Sequence, residues 1–368
     1  MTLSASTSRQ LHESAIVIDG HCDILIPITE GKMQLSDRVE VPDLDWEAPP
    51  GLEHSPLAAF GLSPHTIWFG CMGQYDVPRW REGGVSGQLC AIYLDDDWLR
   101  DPFRRGMEMV WHLHDQVRRC PDLRLATTAR DIVNAKADGH VALVLSFEGC
   151  EALGADLRFL DLYYSLGLRS ASLTHTRRKV LADGCGAGER TGGLTSMGRA
   201  LVERMDALGI LIDLVHIAEA GFWEILECTR NPVILSHTNP TMFPDSSPSD
   251  PDFLGGKLPR PRLELPRDRP MLEAITENGG VLGLIHVAHT NLDSVVRDIE
   301  TALDVMGPKH IGLGSDHFGL QAAPKGLETI AEVPRLTDAL AARGHSDDMI
   351  LDFLGRNYLR VFEEVWGG

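Results

Sequence analysis

Eight short runs of aliphatic and β-branched residues recur along this 368-residue chain, most of them separated by stretches with helical spacing of apolar positions. The run Val141-Ala142-Leu143-Val144-Leu145-Ser146-Phe147 is apolar at nearly every position, as a strand is when both faces of its sheet are covered. The runs fall at 15–19, 85–94, 141–147, 168–174, 210–215, 232–236, 280–285 and 310–315. Helical spacing covers 101–119, 157–166, 194–208, 218–228, 271–277, 292–306 and 346–365, and Gly209 sits where a helix C-cap belongs. Alternation of this kind predicts an α/β fold, a TIM-like (β/α)8 barrel, as a single domain over residues 1–368. An open doubly wound sheet is the competing architecture, but no G-x-G-x-x-G turn follows an early strand. Two long stretches, 27–78 and 240–270, are irregular and rich in Pro; the first is expected to be a functional insertion or a lid, the second a loop.

The ends of the runs carry the chemistry. They supply His21 with Asp23, then Glu148, His175, His216, His237, His286 and Asp316. Taken alone, each has a plain structural explanation as a hydrogen-bonded histidine or a helix-start carboxylate. In a barrel, however, the C-terminal strand ends meet around one axis, and a polar ring there is unfavourable unless a metal or mutual pairing satisfies it. His21 and Asp23 are two positions apart, so at strand spacing both side chains leave on one face. The donors exceed the four that one zinc needs, which predicts two Zn2+ or other divalent ions. His21 and Asp23 are expected on one ion, His216 and His237 on the other, with Glu148 bridging. Paired cations lower the pKa of a shared water toward neutrality, so hydrolysis by a metal-bridging hydroxide is the expected reaction.

Composition narrows the partners. A formal charge of -19 argues against nucleic acid and against an anionic membrane surface. The polar N-terminus carries no export signal and no apolar run has membrane-spanning length, so a cytoplasmic protein is expected. The seven cysteines are scattered without a C-x-x-C spacing and read as reduced thiols.

With these residues in view, the chain resembles the membrane (renal) dipeptidase family of the amidohydrolase superfamily. The matching pieces are Asp19-Gly20-His21-Cys22-Asp23, Arg81-Glu82-Gly83-Gly84-Val85, Glu148-Gly149, Leu173-Thr174-His175, Gly193-Leu194-Thr195 and Ile212-Asp213-Leu214-Val215-His216. They continue through Ser236-His237, Glu277-Asn278-Gly279-Gly280-Val281, Gly312-Leu313-Gly314-Ser315-Asp316 and Leu354-Gly355-Arg356-Asn357-Tyr358-Leu359-Arg360. Each is short, but they keep the family's order over nearly the whole chain. The resemblance implies a distorted barrel and a zinc pair bridged by Glu148. It also implies that His175 stabilises the tetrahedral oxyanion and that Asp316 shuttles a proton to the leaving amine. A substrate-carboxylate arginine falls best on Arg267, with Arg260, Arg262 and Arg269 close by in the same loop.

Several positions depart from the family pattern. Cys22 replaces Asn, Val215 replaces Ser, His317-Phe318-Gly319 replaces Phe-Asp-Gly, and His286, expected with His175 and Arg267 to bind substrate, stands beside the pocket where Tyr is frequent. None removes an expected ligand. The function expected is a metal-dependent dipeptidase acting on small L,L or L,D dipeptides, with a homodimer by analogy. Two alternatives are an amidohydrolase for N-acyl amino acids or lactams, and a non-catalytic member of a biosynthetic complex.

Overall fold

A computed structural model describes residues 5–39, 73–187, 191–240, 269–286, 289, 291–317 and 323–367. Nine parallel strands are found among them: β1 Val17–Asp19, β2 Val85–Ile92, β3 Leu123–Leu125, β4 Val141–Phe147, β5 Leu168–Ser172, β6 Leu211–Asp213, β7 Ile234–Thr238, β8 Val281–Leu284 and β9 Ile311–Leu313. Eight of them close a ring. β1 pairs with both β2 and β9, and β2 pairs with β4 from Gly87↔Ala142 to Ile92↔Phe147. The chain from β4 to β9 then pairs in sequence order, which completes the expected barrel.

β3 was not expected. Leu-Arg-Leu is too short to show a period, yet it pairs with the first half of β4, Leu123↔Val141 to Leu125↔Leu143, below the point where β5 joins at Leu145. Several helices also went unread, among them Ala5–Ser14, Leu25–Thr29 and Val333–Ala342. The turn-like segment after Asp76 is a helix, Val77–Glu82, whose cap Asp76 accepts from the Arg79 N–H. Ala129–Asp138 is a helix opened by a Thr128/Asp131 capping box and closed by Gly139 at a φ of 75°. The closing helical region is interrupted, with a π-turn over Asp352–Arg356 between Asp347–Leu351 and Asn357–Trp366. Much of the two irregular stretches lies outside the described residues.

One large apolar core fills the space between the sheet and its helices. A second, inside the barrel, packs Tyr358, Phe362 and Val365 of the last helix against Ile18, Leu89, Val144, Leu211, Ile234 and Val281. The C-terminal helix therefore plugs the barrel from the side of the early strand positions and leaves the strand ends for polar groups. Tyr358 explains two family glycines: a Cβ at Gly20 or at Gly312 would overlap its ring or hydroxyl. No helix among the described residues is long and apolar enough to cross a membrane.

Candidate metal centre

The barrel brings the strand-end residues together around Glu148, the residue that follows β4. Its Oε1 lies 2.8 Å from His216 Nε2, 3.5 Å from His237 Nε2, 3.7 Å from His175 Nε2 and 3.8 Å from His21 Nε2. On the far side of His21, Asp23 Oδ2 and Asp316 Oδ1 each lie 3.6 Å from its Nε2. Three sets of possible metal donors result, His21–Glu148–His237, Glu148–His175–His216 and His21–Asp23–Asp316, and in each the donor atoms lie within 4.8 Å of one another. Except for His175, these side chains are almost completely buried.

Local backbone aims the groups. The β6 ladder stops at Asp213, and His216 turns inward with a φ of 59°, while Asp316 does the same after β9 at 54°. Both are left-handed conformations that cost a non-glycine residue about 1–3 kcal/mol and persist only where the surroundings impose them. For His216 those surroundings include the Asp213 carboxylate, whose Oδ1 accepts from Val215 N at 3.1 Å and Ser236 N at 3.0 Å. The Ser236 hydroxyl lies 2.8 Å from His237 Nδ1, which turns Nε2 toward Glu148. On the other flank, Asp19 joins β1 to β9. It accepts from Ser315 N at 2.8 Å, from Ser315 Oγ at 2.6 Å and from the Tyr75 hydroxyl at 2.8 Å.

The buried charges act strongly on one another. Burial opposes ionisation of Glu148, but His21, His175, and hydrogen bonds from His216 and His237 hold it well below the usual carboxylate range. Burial and then Glu148 push Asp23 upward. For His21, burial and His237 act against the charged form, yet Glu148 and Asp23 outweigh them and its value is raised. His21 Nε2 and Asp23 Oδ1 are buried without a hydrogen-bond partner, and His216 Nε2 and His237 Nε2 face each other at 3.1 Å. Nitrogen and oxygen lone pairs so converged are the donor set of a divalent cation such as zinc, and the residues fit such a group.

Two expected substrate residues are not in this ring. Arg267 lies outside the described residues. His286 is buried, and its ring packs 5.8 Å from His317, which in turn lies 5.5 Å from Tyr75. Burial, followed by His317 and His289, pushes His286 well below the ordinary histidine value, and burial alone takes His317 down to about 3.

One residue at the centre was missed. β2 ends without a His, Asp or Glu, but the next residue, Tyr93, packs edge-on against His175 with ring centroids 4.8 Å apart. Burial raises its phenol, as do Glu148, Asp95 and Asp23, against the pull of Arg177. A single Tyr after an apolar strand carries no signal that periodicity could detect.

The profile of the membrane dipeptidase family, peptidase family M19, matches residues 5–254 and 259–366. Dipeptidase aclJ of Aspergillus oryzae is 30% identical over 315 residues, covering 80% of this chain and 70% of that one. Dipeptidase verJ of Clonostachys rogersoniana is 27% identical over 312 residues, covering 79% and 75%. Among solved structures, dipeptidase AC, a metallopeptidase of family M19, aligns with a TM-score of 0.74 at 25% identity over 96% of this chain and 100% of that one. A metallopeptidase of Rhodobacter sphaeroides, solved with a phosphinate mimic of the dipeptide L-Ala-D-Ala, shares the fold at a TM-score of 0.74 and 24% identity, covering 96% and 100%. Because the profile match runs almost end to end, the chain belongs to the membrane dipeptidase family M19 and is a metallo-dipeptidase, a hydrolase acting on peptide bonds.

Proposed function

We propose that this metallo-dipeptidase works with two divalent cations, zinc by its donor set, held by His21, Asp23, Glu148, His216 and His237. The observation that carries the reading is the Glu148 Oε1 atom, which faces four imidazole nitrogens at 2.8 to 3.8 Å. One carboxylate oxygen cannot accept four N–H bonds at once, whereas cations placed among Glu148 and the lone pairs of His21, His216 and His237 satisfy those three and leave His175 as an N–H donor. When bound, the cations supply Lewis acidity and an acidified water.

The remaining work falls to side chains of the chain. Asp316, buried beside His21, takes the proton of the attacking water and returns it to the leaving amine. His175, the most exposed imidazole of the group, donates to the carbonyl oxygen as negative charge develops there. Arg267 pairs with the terminal carboxylate of the substrate. Arg269 is the poorer choice, because it opens the helix Arg269–Glu277 and lies 3.5 Å from Glu273. His286 shapes the layer behind the pocket through His317. We also take residues 1–368 as one domain, since the nine strands form one sheet.

The substrate is proposed to be a small dipeptide of L,L or L,D configuration, the latter because the Rhodobacter sphaeroides relative binds a mimic of L-Ala-D-Ala. The test removes metal with a chelator, returns zinc in steps and assays a panel of L,L- and L,D-dipeptides beside N-acyl amino acids and lactams. Dipeptide turnover is expected to return up to about two equivalents of zinc per chain. Cleavage confined to the N-acyl or lactam substrates, or saturation at one equivalent, would overturn the substrate or the binuclear reading respectively.

A further inference from the structure

The strand end without a metal-type residue has its own role. Glu148 N donates to Ile92 O at 3.1 Å, which sets Tyr93 level with the centre of the cluster. Its ring meets His175 at 4.8 Å with an interplanar angle of 64°, so both lie along one wall. Glu148 and Asp23 are among the charges that act on its phenol.

The back of that phenol is occupied. Arg177, from the loop after β5, donates from Nη2 to Tyr93 Oη at 3.4 Å, and its guanidinium carbon sits 5.7 Å from the ring centroid. The guanidinium is itself anchored by Asp96 at 2.6 Å, by the Leu94 carbonyl at 3.1 Å and by the buried Glu151 at 3.5 Å. A cation donating to the phenol oxygen withdraws electron density and strengthens its O–H as a donor. Among the described residues no acceptor for that O–H is recorded.

We propose that Tyr93 is a catalytic residue that donates a hydrogen bond to the substrate carbonyl oxygen beside His175, and that Arg177 is the positioning residue behind it. The phenol keeps its proton throughout and no covalent bond is made to it. Its hydrogen bond strengthens as the carbonyl oxygen gains charge, so it favours the transition state over the bound substrate. Arg177 fixes the phenol's direction, and the anchors on Arg177 fix the loop that also carries His175.

This inference rests on the dipeptidase reading, and the experiment separates the two. Tyr93→Phe, Arg177→Met and the double variant are compared with the parent in zinc-loaded form. Three quantities are read: kcat and KM on a dipeptide the parent cleaves, calorimetric affinity for a phosphinate dipeptide mimic, and zinc content. Tyr93→Phe keeps the ring against His175 and is expected to lower kcat about 10- to 100-fold with KM little changed. The mimic is expected to bind more weakly by a similar factor, and zinc content to stay at the parent's level. Arg177→Met is expected to cost less in the parent and nothing further in the Tyr93→Phe background. Parent-like kcat and mimic affinity in Tyr93→Phe overturn the role of the hydroxyl, as does loss of zinc, which marks it as structural. An undiminished Arg177→Met effect in the double variant overturns the link between the two residues. A parent that cleaves no dipeptide overturns the functional reading first.

Discussion

Glu148 Oε1 and His216 Nε2 lie 2.8 Å apart although 68 residues separate them in the chain. The contact joins the end of β4 to the residue just past β6, with β5 and its own histidine between them. It exists only because the barrel closes, and three further imidazoles share the same oxygen.

Replacing that oxygen removes the one group common to both proposed cation positions. Glu148→Ala is expected to lower kcat/KM by roughly 10³-fold, about 4 kcal/mol of transition-state stabilisation, and to reduce bound zinc. Steady-state kinetics with elemental analysis of the same sample decides the point. A variant with more than a tenth of parental activity and full zinc would remove Glu148 from the centre.

Asp213 holds no expected ligand position, yet two buried backbone N–H groups depend on its Oδ1. Asp213→Ala leaves both unsatisfied, at a cost of about 1–3 kcal/mol each. The urea midpoint should fall at unchanged m-value, with weakened zinc affinity because His216 and His237 sit one residue beyond those N–H groups. An unchanged midpoint would show that water replaces the carboxylate.

Gly149 follows Glu148 at a φ of 85°, and a Cβ there would overlap Glu151 Oε2 and approach His175 N to 3.2 Å. Gly149→Ala therefore combines a left-handed backbone with a collision against a buried side chain. We expect a loss of about 1–3 kcal/mol in stability and a larger proportional loss in kcat than in KM. Denaturant titration and kinetics on one preparation test this, and parental values in both would refute the strain.

His12 supplies a pH test away from the metal centre. Its Nδ1 lies 2.7 Å from Thr337 Oγ1 and its Nε2 2.9 Å from Gly83 O, and burial lowers its pKa from the ordinary 6.5 despite the bond to Gly83. Between the lowered value and 6.5 the unfolded chain binds the proton more readily than the folded one. The stabilisation is whole above 6.5 and is lost as pH falls through that value. Unfolding free energies measured at about pH 7.5 and pH 5.5 should drop less in His12→Gln than in the parent. An equal drop in both proteins would assign the acid sensitivity elsewhere.

Much of this was legible in the residues. Near-continuous apolar runs such as 141–147 marked covered strands, and their alternation with helical stretches favoured the barrel over an open sheet. The imidazoles and carboxylates placed after those runs pointed to metal chemistry, because converging strand ends crowd such groups together and only a cation or mutual pairing satisfies them. Tertiary closure decided the rest. It brought Asp19 to Ser315 across 296 positions, set Tyr93 against His175, turned His286 toward His317 and attached β3 to β4. Spacing along a chain reports which side of its own strand a residue takes. Which distant residue it then meets depends on register, bulges and left-handed turns, and these are fixed only when all the strands pair at once.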